Sequence, residues 1–218
     1  MSKKMMLLAL AVAALFALPA AASAQEAHVS GITTFTGHAP TGTLSASGEP
    51  TITCTTTTVT GSFDTGNTTT GKITLDFTGC TAEFLGIKGA CNTAGAASGT
   101  IASSGAFHVI KLAANVPGIL VTPVTTTLIC VGFSRVEVSG NIIGTITSPA
   151  CGGKSKTLVT VFKSTGSTQE HKTYTGVNYE LKAQTENSSG VTSGSPVSAG
   201  LTSTATLSSA SEGTLECT

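Results

Sequence analysis

Cysteine is the residue type in this 218-residue sequence with the plainest chemistry: Cys54, Cys80, Cys91, Cys130, Cys151 and Cys217. An even set can pair as disulfides, hold a metal or exchange electrons. Metal and redox sites favour Cys-x-x-Cys pairs or cysteines close to histidine, and neither spacing occurs here. Disulfides are expected, in one of fifteen connectivities. If Gly140-Asn141 is the two-residue loop of a hairpin, Cys130 falls opposite Cys151, within bridging range. The same count about Asn67 sets Cys54 opposite Cys80. Its rival, Cys80–Cys91, closes a small loop over Glu83, Phe84 and Leu85. Cys217 has no assigned partner.

The other reactive side chains do not converge. His28 and His38 lie near the N-terminus of the expected mature chain. His108 shares its parity with Ile110 and Leu112, as a strand residue on a partly apolar face would. His171 sits in the polar turn Gln169-Glu170-His171-Lys172. Asp64 and Asp76 are the only aspartates, and neither a G-x-S-x-G elbow nor an H-E-x-x-H helix accompanies any histidine. Trp is absent and Tyr174 and Tyr179 are the only tyrosines, so the aromatic platforms of a sugar site are missing. Asp64-Thr65-Gly66-Asn67 reads as a turn before it reads as a Ca²⁺ loop. Asn67 and Asn187 open N-glycosylation sequons. No catalytic, cofactor-binding or metal residue is assigned, and no cofactor is expected.

The segment that decides how the cysteines are read is the first 24 residues. Lys3 and Lys4 precede an apolar run from Met5 to Leu18, Pro19 breaks it, and Ala22-Ser23-Ala24 supplies a small-residue cleavage pattern. This is the form of a secretory signal peptide, with cleavage expected after Ala24 and export to a compartment where thiols oxidise. Residues 25–218 then form a single β-rich domain, with a division into two related halves near 115–125 as the alternative. Charged residues are 10% of the chain, against roughly a quarter in an ordinary soluble domain. Without the signal, nine basic side chains face eleven acidic ones, which argues against nucleic acid as a partner. No later apolar run reaches the roughly 20 residues of a membrane span, so no transmembrane anchor is expected.

The elements that carry these residues repeat with a period of two. Ile73, Leu75 and Phe77 alternate with Lys72, Thr74 and Asp76; Val136 and Val138 alternate with Arg135 and Glu137; Val177, Tyr179, Leu181 and Ala183 alternate with polar neighbours. Such alternation marks strands with one face in a core. The expected fold is all-β, an antiparallel sandwich or a barrel-like relative, stapled by disulfides. Asn187 to Gly200 reads as a long surface loop, with separate strands at 200–207 and 210–217.

Thr51-Ile52-Thr53-Cys54, Phe77-Thr78-Gly79-Cys80-Thr81 and the run from Val138 to Thr147 together resemble a group of uncharacterised secreted, cysteine-containing β proteins of actinobacteria. The resemblance implies an extracellular bacterial β fold and carries over no active-site residue. Three functions are compatible with the sequence: a non-enzymatic surface or matrix component or binding module, a secreted hydrolase assembled from distant residues such as His108 or His171, and a membrane-active β protein.

Overall fold

The structure, a computed structural model, describes residues 26–66, 68–132, 135–186 and 194–218. The expected signal peptide and the sequon residues Asn67 and Asn187 lie outside the described residues. Among those described there is no helix, and every strand pairing is antiparallel. In chain order the strands are β1 (Ala27–Ser30), β2 (Thr34–Ala39), β3 (Gly42–Ala46), β4 (Thr51–Cys54), β5 (Thr56–Phe63) and β6 (Thr70–Thr78). Next come β7 (Thr81–Phe84), β8 (Ile87–Thr93), β9 (Ile101–Ala113), β10 (Val116–Cys130), β11 (Arg135–Ser148) and β12 (Lys154–Phe162). Two short ribbons, β13 (Ser164–Thr165) with β14 (Thr168–Gln169) and β15 (Thr173–Tyr174) with β16 (Val177–Asn178), precede β17 (Leu181–Glu186) and β18 (Val197–Cys217).

The pairings close on themselves twice. The sequence β11–β12–β18–β2–β5–β6–β9–β10 returns to β11. A second sequence, β10–β8–β7–β4–β3–β18–β17–β11, returns to β10. These are two eight-stranded rings, which we call the first and the second. They share the long strands β10, β11 and β18. Closure leaves a ring no free edge to recruit another chain. The expected all-β, disulfide-stapled fold is thus present in its closed, barrel-like form.

Alternation sets what faces inward. Ile52, Val59, Ile73, Ile101, Val121, Leu128, Val136, Val138, Ile142 and Leu207 are buried in one contiguous core. At one end of the first ring Phe35, Phe63 and Phe107 meet edge to face, with centroids 5.0–6.2 Å apart. On the outer side, Ile110, Leu120, Ile143 and Tyr174 form a separate small cluster.

The disulfides are Cys54–Cys80, Cys91–Cys130 and Cys151–Cys217. Three bridges fit an oxidising compartment. Cys54–Cys80 follows the expected count, because β5 and β6 keep one register from Thr56↔Thr78 to Phe63↔Gly71. The Cys130–Cys151 expectation is overturned, and so is Cys80–Cys91, the rival of Cys54–Cys80. Gly140-Asn141 is no hairpin loop. β11 runs straight through it, and the hairpin of β10 with β11 turns instead after Cys130. At Gly140 strand β11 exchanges one neighbour for another, β17 before it and β12 after it. Its φ of 116° suits glycine, and a Cβ there would collide with the carbonyl oxygen of Glu180. Cys151 is carried to the far end of the first ring, where Gly152 donates to the carbonyl of Leu215 at 2.6 Å and Leu215 donates to that of Gly153 at 3.0 Å. Cys217 lies two residues on from Leu215.

Two smaller expectations also change. Val177 is not a core residue: the ribbon β15–β16 turns at Thr175 and Gly176, both with positive φ, and leaves Val177 half exposed. Residues 197–200 are strand, not loop, and the two expected C-terminal strands are the single strand β18. It stays continuous because β17, β3, β12, β2 and β1 pair with successive stretches of it.

Candidate functional site

Where the two rings meet, the interior is not filled. A void of about 80 Å³ is walled by residues of both, among them Leu44, Ile52, Leu75, Phe77, Leu128 and Leu201. A smaller void of about 30 Å³ inside the first ring shares Leu75, Phe77, Ile142 and Leu201 with it. An eight-stranded barrel is just wide enough for side chains to fill it or to hold one small ligand. Here many inward positions carry small residues, including Ala39, Thr57, Ser103, Thr126, Thr160, Ser203 and Ala205, so the rings stay underfilled. Leu44, Leu75, Phe77 and Leu201 face this space and are accordingly only partly buried.

The walls are apolar apart from a few hydroxyls. Thr126 Oγ1 donates to the carbonyl of Ala102 at 3.4 Å, Thr160 Oγ1 to that of Ala205 at 3.4 Å, and Ser203 Oγ to that of Thr41 at 3.5 Å. Ser103 Oγ, on the larger void, and Thr57 Oγ1, on the smaller, are buried with no hydrogen-bond partner. Thr57 is only 3% exposed. Register places them on either side of β6: Thr57 lies opposite Phe77, and Ser103 opposite Leu75. A buried hydroxyl without a partner carries a desolvation cost; it is the apolar enclosure between the rings that makes the larger void a candidate binding site.

The four histidines do not gather at one site; His28 is close enough to act on His108, and His108 is the more enclosed of the two. It faces outward on β9 with Ile110, beside the small outer cluster. Its ring meets Tyr174 edge to face, with centroids 6.3 Å apart. Its Nε2 is buried without a hydrogen bond, and the Glu26 carboxylate at 3.8 Å is too distant for one. Burial pulls the imidazole below its ordinary 6.5, Glu26 pulls it up, and His28 pulls it down again, with burial the largest influence. The same surroundings raise the Tyr174 phenol, first through burial and then through Glu26 and Tyr179. Thr70, the register partner of His108 on β6, donates its hydroxyl to Asp64 Oδ2 at 2.8 Å. His28 Nδ1 lies 3.3 Å from Thr68 Oγ1. Among the described residues no group of three or more His, Cys, Asp or Glu could hold a metal ion.

Sequence reasoning placed His108 on its face but missed Thr57 and Ser103. Ser103 had a visible signal, as the polar member of the inward series Ile101, Ser103, Phe107. Thr57 lies inside the run Thr55–Thr58 and carries none. No protein-family model, curated protein or solved structure matches the chain.

Proposed function

We propose that this chain is an exported, non-enzymatic binding module, cleaved after Ala24, that accepts a small and mainly apolar molecule between its two rings. The void bounded by Leu44, Leu75, Phe77 and Leu201 carries this reading. A hydrophobic enclosure with a few polar groups is the usual make-up of a small-molecule site. Three disulfides and the N-terminal leader support the exported part. The resemblance to secreted actinobacterial β proteins agrees with it. The test is an NMR titration with dissolved xenon, a compact apolar probe that enters dry cavities. The methyl signals of Leu75 and Leu201 shift and saturate, those of exposed Ile87 do not, and a Leu201→Phe variant that fills the space abolishes the effect. Unchanged Leu75 and Leu201 signals under xenon pressure would overturn the reading.

A second reading, a hydrolase built on His108, draws on the approach of Glu26 to its ring. Turnover in a broad hydrolase screen that disappears in His108→Gln would favour it over the first.

A further inference from the structure

We infer that one end of the second ring is a contact point for the surface of an electrically neutral lipid layer. Among the described residues four large apolar side chains are more than half exposed, and three of them, Leu85, Ile87 and Val131, sit together there. Leu85 and Gly86 form the tip of the β7–β8 hairpin, and Ile87 follows it. Val131 lies just past β10, where its amide donates to the carbonyl of Ala90 at 2.9 Å. A Cβ placed on the next residue, Gly132, would come 3.6 Å from Ile87 Cγ2. The Cys91–Cys130 bridge fastens the two tips to each other. Leu85 is the clearest sign of use. It carries a φ of 50°, which leucine adopts at a cost, and 87% of it is in water. Asn-Gly would make the same turn without either penalty, so the leucine is not there for the fold.

The occupant follows from area, side-chain type and charge. Taking about 100 Å² for a whole aliphatic side chain, the three expose on the order of 200 Å². A stable protein interface takes roughly 800 Å² from each partner, so the patch is too small to hold a second copy of this chain. Leu and Val are also poor anchors of protein interfaces, where Trp, Tyr and Arg dominate. A lipid layer asks for neither large area nor register, and takes up an apolar tip pushed into its headgroup boundary. The charges beside the tip cancel, because Lys88 Nζ meets Glu83 Oε2 at 3.0 Å across the hairpin. The chain as a whole has no excess of basic residues to draw it to anionic lipid. Attachment through so little area is weak and reversible, a docking contact and not an anchor.

The test adds phosphatidylcholine vesicles carrying a spin-labelled lipid to the disulfide-bonded protein and follows its methyl signals by NMR. Broadening is expected at Leu85, Ile87 and Val131 and not at Val177, which is 51% exposed on the ribbon β15–β16. Leu85→Asn is expected to keep the fold while lowering the vesicle partition coefficient at least tenfold, the scale of one buried leucine. Ile87→Thr, which leaves a β-branched residue in β8, lowers it as well, and Val177→Thr leaves it unchanged. Adding phosphatidylglycerol to the vesicles is expected to change little. Equal broadening at Val177, or none anywhere at millimolar lipid, would overturn the inference. Binding that requires phosphatidylglycerol and fades with added salt would overturn it too. So would shifts at Leu85 and Val131 that grow with protein concentration in the absence of lipid, since the patch would then be a contact between copies.

Discussion

The backbone amide of Cys91 donates to the carbonyl of Cys80 over 2.9 Å, yet the two sulfurs belong to different bridges. Cys80 bonds back to Cys54 and Cys91 onward to Cys130. The four cysteines thus form one clasp across the place where the chain passes between rings. It leaves the second ring for the first at Thr55, between β4 and β5, and returns at Gly79, between β6 and β7. Non-reducing peptide mapping is expected to yield 54–80, 91–130 and 151–217 as the linked pairs. A recovered 130–151 or 80–91 peptide would contradict the fold described.

The Cys54–Cys80 bridge spans 26 residues, which corresponds to about 3.5 kcal/mol in the chain-entropy estimate. A Cys54→Ala/Cys80→Ala variant is expected to melt roughly 10 °C below the parent under oxidising conditions. Calorimetry of the two proteins side by side, with the other bridges intact, checks this.

Gly140→Ala is expected to destabilise by about 3 kcal/mol or more. The added methyl meets the Glu180 carbonyl, part of a backbone that cannot swing aside, and the φ of 116° is itself costly for alanine. A urea midpoint within experimental error of the parent would show that β11 does not pass β17 as described.

The loop joining β7 and β8 consists of Leu85 and Gly86, both at positive φ, with Leu85 87% exposed. Asn-Gly serves such a two-residue loop best, and an exposed Leu loses no packing when replaced. Leu85→Asn is expected to stabilise by about 0.5–1 kcal/mol, read as a raised urea midpoint with an unchanged slope.

Acidification is expected to weaken the fold through His108. Its folded-state value lies below 6.5, so as pH falls the unfolded chain takes up the proton first. The stability due to the neutral ring is whole above about pH 6.5 and is lost progressively as pH drops toward the folded value. Glu26, which favours the charged ring, limits the loss, while His28 adds to it. Denaturant melts between about pH 5 and 8 are expected to show this slope in the parent and a shallower one in His108→Gln.

Alternation was enough to read the strand faces around Ile73, Val136, Val138 and Leu181, because a half-buried strand writes its burial into every second residue. The register of β5 on β6 was legible for the same reason that hairpins are: a short connection fixes the partner. What stayed hidden were features that depend on distant pairing. Gly140-Asn141 has the composition of a turn, but the neighbouring strand β17, more than thirty residues on, makes it the interior of a strand. The partners of Cys91 and Cys151 follow from how β8 meets β10 and how the chain end meets residues 152–153. Nothing local records either. The void is illegible for a related reason. It results from many separately unremarkable small residues brought to one level by ring closure.

The placement of β18 also constrains when the molecule can come into being. Both rings need this strand: residues 199–203 complete the second by pairing with β3, and residues 203–208 complete the first by pairing with β12 and β2. A chain still lacking β18 can form hairpins such as β5–β6 or β10–β11 but has no way to close either circuit. Growing from its N-terminus, it remains an open ribbon of hairpins, without an enclosed interior, until β18 has been made. Closure then comes as one late event that creates the cavity, hides the strand edges and brings Cys217 to Cys151.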